Sequence, residues 1–316
     1  MDKPHPVPWK HIRHQGAVLA TLGRVALGLG RKSAGDIPQL PGSEFSTTLP
    51  ARPPELLHDY IIGVGGDPAR WEGFVPHHFF PQWTFPLLTR CLSVLPYDFK
   101  RVLNAGCRVE VGQPLPAGEP LQVRVRLEEV DDNGRRAVIT ARPVMHRAVI
   151  TARCITGTAS VPDALVVYQT VLIPLPRKGK DKDSAPKKEP VLVPTNVRLI
   201  RKIHLSARAG LEFALLTGDF NPLHWLRPWA RASGHPTPIL HGFSSMARSL
   251  EAVHNELWGG DHLRMMSYNV RFTNPLRLPG EVGVFVNDDN ELYMGGAVGG
   301  KAFLAGSFTE KPASSH

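Results

Sequence analysis

A chain of 316 residues with 42% hydrophobic side chains is long enough for two domains of ordinary size and holds enough apolar material for their cores. No run of eighteen apolar residues occurs, which excludes a membrane-spanning helix. Three widely spaced cysteines, Cys91, Cys107 and Cys154, give neither a zinc pattern nor a disulfide framework and point to a reducing, cytoplasmic setting. The formal charge of +9 is concentrated in residues 1–32, which carry +5, and in residues 177–189, which carry +3; the body of the chain is near neutral, which argues against a nucleic-acid-reading face.

Residues 1–44 form a basic N-terminal segment. Val18, Leu19, Leu22, Val25, Ala26 and Leu29 fall on one side of a helix weakened by Gly16, Gly23 and Gly28. We expect a short helix docked on the next domain rather than a membrane-surface helix or a targeting peptide.

Residues 45–176 read as a worn copy of the second half. Leu49-Pro50-Ala51-Arg52, followed by Leu56, Leu57, Tyr60 and Ile61, parallels Leu205-Ser206-Ala207-Arg208, followed by Leu211, Phe213, Ala214 and Leu215. Asp67-Pro68 falls near the place of Asn221-Pro222, and no histidine follows at the right distance. A helical pattern at Leu88, Cys91, Leu92 and Leu95 comes next. The strongest internal match is Asn104 to Val111, with Pro114 and Pro116, against Ser267 to Thr273, with Pro275 and Pro279. A repeat of this size predicts two tandem copies of one domain. Between them lies an oddity: Arg136 to Arg142 recurs residue for residue as Arg147 to Arg153. Because the offset is odd, the copies would face opposite ways in one continuous strand, so one is expected in the sheet and the other in a neighbouring strand or loop. Residues 177–190, rich in lysine and proline with no apolar anchor, read as a solvated linker.

In residues 191–316, Leu211, Ala214 and Leu215 set a helical pattern that Gly218 is placed to end in a left-handed conformation. The loop beyond it crowds Asp219, Asn221 and His224 around Pro222, which restricts the backbone and can aim an acid and an imidazole at one point. A second helix, with Phe243, Met246, Ala247, Leu250, Val253 and Leu257 on one face, opens on Gly242 and stops at Gly259-Gly260. The first amides of a helix lack intrahelical partners and carry partial positive charge, so Gly242 is a candidate oxyanion donor. Base, acid and oxyanion donor together suit proton transfer next to a carbonyl. Residues 265–309 alternate between apolar runs and turn signals, as an antiparallel sheet does.

Thr217-Gly218-Asp219-Phe220-Asn221-Pro222-Leu223-His224, followed by Ala230 and by Ile239-Leu240-His241-Gly242, resembles the signature of the R-specific enoyl-CoA hydratases, or MaoC-like dehydratases. The resemblance covers Leu199 to Glu310. It implies an α+β fold of two tandem hot-dog domains, each a long central helix wrapped by an antiparallel sheet, the first degenerate and the second bearing the catalytic motif. It further implies reversible hydration of a 2-enoyl thioester, carried on coenzyme A or acyl carrier protein, to the (3R)-3-hydroxyacyl form. Asp219 and His224 would activate water, the Gly242 amide would bind the thioester oxygen, and Asn221 would brace the loop or touch substrate. No cofactor or metal is implied, and the two halves would form an intrachain pseudo-dimer open to further homo-oligomerisation. An acyl thioesterase and a non-catalytic acyl-thioester-binding module remain the alternatives.

Other sightings carry less. His77-His78, and His235 with His241, lack a carboxylate or cysteine at a helpful spacing for a metal. Ser244-Ser245 lacks the second glycine of a nucleophile elbow, and Gly63, Gly65 and Gly66 make no dinucleotide fingerprint. Trp225 and Trp229 are expected either in an acyl tunnel or in the core.

Overall fold

The computed structural model describes residues 6–26, 37–97, 102–132, 147–175 and 189–311. In chain order the helices are α1 (Gly16–Ala26), α2 (Pro54–Gly63), α3 (Pro81–Leu92), α4 (Ala209–Thr217), α5 (Arg227–Ala232) and α6 (Gly242–Trp258). The strands of the first half are β1 (Phe45–Leu49), β2 (Phe74–Val75), β3 (Leu103–Val111), β4 (Leu115–Pro116), β5 (Leu121–Asp132), β6 (Arg147–Gly157) and β7 (Leu165–Pro174). Those of the second are β8 (Arg198–Leu205), β9 (Met265–Phe272), β10 (Gly280–Val286), β11 (Glu291–Gly295) and β12 (Ala302–Glu310). Apart from the short pair β2–β4, all strands join one antiparallel sheet in the order β1-β5-β6-β7-β3-β9-β12-β11-β10-β8.

That order is the same five-strand pattern written twice, the second time reversed. Each half wraps a helix: α3 packs on β1, β5 and β6, and α6 packs on β8, β11 and β12. The alternation of buried and half-exposed residues along β7, from Leu165 to Pro174, shows why: period-two side chains give a strand one face for the helix and one for water. The tandem hot-dog expectation is met, with a single apolar core running through both halves.

The halves meet where β3 pairs with β9. Cys107, which the internal alignment equates with Val270, lies directly opposite it in the ladder. Next to this pair is Gly106, at φ +147° and at a register shift in β3; a methyl there would overlap the Val270 carbonyl and stand 2.9 Å from the Arg271 Cα.

The two central helices differ. α6 runs seventeen residues, whereas α3 runs twelve with Pro86 inside it, where a helical N–H is missing. The N-terminal segment docks as expected. His11 hydrogen-bonds Asp59 on α2 at 2.8 Å, Val18 is buried, and Gln15 donates to the Leu215 and Leu216 carbonyls at the end of α4 at 3.0 and 3.1 Å. Of the exact repeat, Arg147 to Arg153 lies in β6; the first copy and most of the lysine-rich linker fall outside the described residues. Among the described residues no helix is long and apolar enough to cross a membrane.

Gly106→Ala should lower stability by about 2–4 kcal/mol, since the new Cβ must displace backbone of the facing strand. Urea unfolding followed by tryptophan fluorescence checks this; an unchanged midpoint would show that the two halves do not depend on this close approach.

Candidate active site

Helix α4 ends where the sequence places its end, with Gly218 left-handed at φ +84° and its amide returned to the Ala214 carbonyl. The chain beyond is fixed by its own polar groups. The Asn221 side-chain oxygen accepts from the Leu223 amide at 3.1 Å and caps a 3-10 turn over Pro222–His224. Trp225 adds a hydrogen bond from its indole to the Phe220 carbonyl at 3.3 Å. Trp229 is neither tunnel nor core: it is 53% exposed on α5, a six-residue helix whose buried side is taken by Ala230.

Asp219, His224 and His241 converge here, one ligand-type atom of each lying within 4.8 Å of the others. The imidazoles stack with their centroids 3.7 Å apart. A carbonyl can only accept, so the contacts define the tautomers. His224 Nδ1 donates to the Ile239 carbonyl at 2.8 Å, leaving Nε2 as a bare base. His241 Nε2 donates to the Asp219 carbonyl at 2.9 Å and stands 4.0 Å from the Asp219 carboxylate. Burial pushes His224 below its ordinary value against the opposing pull of Asp219, and pushes His241 down to about 3, with the neighbouring His224 adding to the effect. Both rings are therefore neutral at pH 7.

His241 was passed over in the sequence because it was weighed only as a metal partner of His235. The signal was its position: it is the residue immediately before Gly242, at the N-terminus of α6. The same three residues form a donor set of metal-ligand type, although one nitrogen of each ring is already engaged by a carbonyl.

Gly242 opens α6, and the structure gives it a packing reason of its own. A Cβ there would lie 2.5 Å from the Phe272 ring of β9. With that ring against it, the helix start sits deep beside the sheet and its unpaired first amides border the loop. A pocket beside the Asp219 carboxylate is lined by Phe213, Thr217 and Phe243 from the second half and by Pro81, Thr84, Phe85 and Gln169 from α3 and β7 of the first. The wall from the first half is formed by the stretch that begins α3, which the spacing of apolar residues alone started later, near Leu88.

Residues 191–291 match the family model described as MaoC like domain. Residues 191–291 carry a MaoC-like domain. The chain is 28% identical over 272 residues to an enoyl-CoA hydratase, ChsH3, of Mycobacterium tuberculosis, covering 77% of this chain and 84% of that one. It is 23% identical over 264 residues to 3-hydroxyacyl-thioester dehydratase X of the same organism, covering 81% and 86%. In fold it is similar to the crystal structure of HtdX from M. tuberculosis, with a TM-score of 0.64 at 19% identity over 85% of this chain and 100% of that one. The two halves of the present chain thus share their arrangement with MaoC-like proteins along nearly their whole length, and the site lies in the half that the MaoC-like domain covers.

The depressed histidine gives a pH signature. His241 is neutral in the folded chain down to about pH 3 and takes a proton in the unfolded chain below about 6.5. The unfolded state therefore binds more protons between those values, and stability falls as pH drops through this window, by up to about 1.4 kcal/mol per pH unit for this group. His241→Gln keeps an amide donor for the Asp219 carbonyl but does not titrate. Urea unfolding at pH 7, 6 and 5 should show a shallower decline for it than for wild type, and parallel slopes would remove His241 from the set.

Proposed function

We propose that the chain catalyses reversible hydration of a 2-enoyl thioester to the (3R)-3-hydroxyacyl thioester, at the loop that joins α4 to α6. That it is an enzyme, and a hydro-lyase, rests on its MaoC-like domain and on relatives named enoyl-CoA hydratase and 3-hydroxyacyl-thioester dehydratase. The observation that carries the assignment of residues is the bare Nε2 of His224 on a ring that lies with Asp219 and His241 in one cluster, ligand-type atoms within 4.8 Å of one another, beside a helix N-terminus.

Water is held between the Asp219 carboxylate and His224 Nε2. As its oxygen bonds to C3, one of the two groups takes its proton, the π electrons move toward the thioester carbonyl, and negative charge gathers on that oxygen. The backbone amide of Gly242 meets this charge from a position fixed before the reaction begins, which is where preorganised donors stabilise a transition state most. A proton is then delivered to C2, and dehydration is the same path reversed. His241, stacked on His224 and hydrogen-bonded to the Asp219 backbone, positions both groups. Asn221 acts through the loop. The carrier is coenzyme A or an acyl carrier protein, and the acyl chain lies against the wall that Thr84, Phe85 and Gln169 contribute.

Asp219→Asn and His224→Ala should each lower turnover by roughly 10²–10⁴ with little change in melting temperature. Loss of the enoyl-thioester absorbance band, with crotonyl-CoA and a longer 2-enoyl-CoA, measures this. Wild-type turnover in either folded variant would sink the mechanism, and saturable acyl-CoA binding with no turnover in the wild type would point to a binding module. A second expectation follows from the shared pocket: residues 191–316 expressed alone should lose most activity, because one wall is missing, and a fully active fragment would show that the first half contributes nothing to the site.

A further inference from the structure

A second group of titratable side chains lies at the boundary of the two halves and takes no part in the reaction above. His78 precedes α3, while Glu251 and His254 sit on α6; all three are buried, and one ligand-type atom of each lies within 4.8 Å of the others. Their hydrogen bonding leaves a conspicuous deficit. His254 is 1% exposed, yet neither ring nitrogen has a hydrogen bond, Nδ1 standing 3.9 Å from the Glu251 carboxylate. His77, whose two nitrogens are equally unpartnered, packs with its ring centroid 5.3 Å from those of both His78 and His254. A buried polar group without a partner costs about 1–3 kcal/mol, so such a cluster calls for something that satisfies it.

The second layer around the cluster is complete. Tyr60 has one hydroxyl proton, and its oxygen lies 3.1 Å from the His78 carbonyl and 2.9 Å from His78 Nδ1. In the metal-free chain that proton goes to Nδ1, and His78 Nε2–H donates to Glu251 Oε1, 3.0 Å away; with the Tyr60 proton turned to the carbonyl instead, the imidazole proton moves to Nδ1, donates to the hydroxyl and leaves the Nε2 lone pair free for a ligand. Trp71 donates its indole N–H to the same carboxylate oxygen at 2.8 Å. Ligating imidazoles and carboxylates are commonly oriented by outer partners of this kind.

We propose that His78 Nε2, a carboxylate oxygen of Glu251 and a ring nitrogen of His254 form a three-ligand site for a divalent transition metal, zinc(II) by donor set, bridging the two halves of the chain. Two imidazoles and a carboxylate are a common zinc set, and the ligand atoms on a tetrahedral zinc lie about 3.3–3.6 Å apart, so the cluster tightens modestly on loading. Neutral imidazole and ionised carboxylate are the forms that bind metal. A cleft lined by Trp71, Phe74, His77, Gln113, His262 and Lys311 lies beside the cluster, and two of its walls, Trp71 and His77, pack against the His254 ring.

The test uses the full-length chain, stripped with a chelator and then dialysed against zinc(II) or cobalt(II). One equivalent of zinc by plasma mass spectrometry, visible d–d bands with cobalt, and a melting temperature raised by about 5 °C or more at a hundredfold excess over Kd are expected. His254→Phe keeps a flat ring against Trp258, whose centroid is 5.7 Å away, and should abolish all three, as should the near-isosteric Glu251→Gln. Asp219→Asn should retain them. Folded wild-type protein with sub-stoichiometric zinc and no cobalt bands overturns the proposal and leaves a plain histidine–glutamate pair. Metal retained by both His254→Phe and Glu251→Gln overturns it too, as does metal lost only from Asp219→Asn, which would place the ion in the reaction site. If one buried variant fails to fold, the other and the wild-type spectrum still decide.

Discussion

The main-chain ladder between β3 and β9 is the constraint on which the rest of the molecule depends. A strand edge with unpaired amides and carbonyls must be paired, covered or blunted, and here each half uses the other's edge for that purpose. Because the pairing is antiparallel and centred near Cys107 and Val270, it relates the halves by an approximate two-fold rotation and brings both central helices to the same side of the sheet. From this follow the packing of α2 on α4 and the meeting of the α4 loop with the start of α3. A pocket bounded by eight residues from the two halves is assembled by five residue pairs of β-ladder, none of which lines it.

Much of this was legible in the sequence wherever the cause is local. Gly218 as a left-handed cap, Gly242 as a helix start and the matching of Asn104–Val111 with Ser267–Thr273 all depend on nearest neighbours or on likeness between two segments, and the structure realises each of them. What the sequence hid is what the chain brings together from afar. His78 was dismissed as a ligand for want of a carboxylate, and Glu251 supplies one from 173 residues away, on the central helix of the other half. Gln15 is a polar residue on a weak helix with nothing to mark it, yet its amide satisfies two carbonyls that α4 leaves open 200 and 201 residues later. Trp229 misled in the opposite direction: an aromatic near a signature motif suggests a wall, but its rotation on a short helix turns it to solvent.

The two histidine clusters make an instructive pair. One stands at the start of α6 and the other between the start of α3 and the later turns of α6, and burial holds His241, His77 and His254 neutral. In the second half one nitrogen of each ring donates to a backbone carbonyl, which leaves His224 Nε2 and the buried His241 Nδ1 as bare acceptors. In the first half the corresponding space is filled by Trp71, which stacks on His262 at 3.9 Å and reaches Glu251, and no loop like the one around Asn221 delivers an acid and an imidazole together. The first half has kept the shape of the domain while its site has been packed shut.

The pocket's mixed lining has a consequence for how such a protein changes over generations. In a symmetric homodimer each substitution is made twice, so a residue that widens the acyl wall also appears wherever its copy stands, near the catalytic loop or in the core. On the proposed function, Thr84, Phe85 and Gln169 are encoded once, in the half that does not carry the reacting groups, while Asp219 and His224 are encoded once in the other. Selection can therefore retune which acyl groups fit by drift in one half of the gene, without exposing the reacting groups to the same mutations.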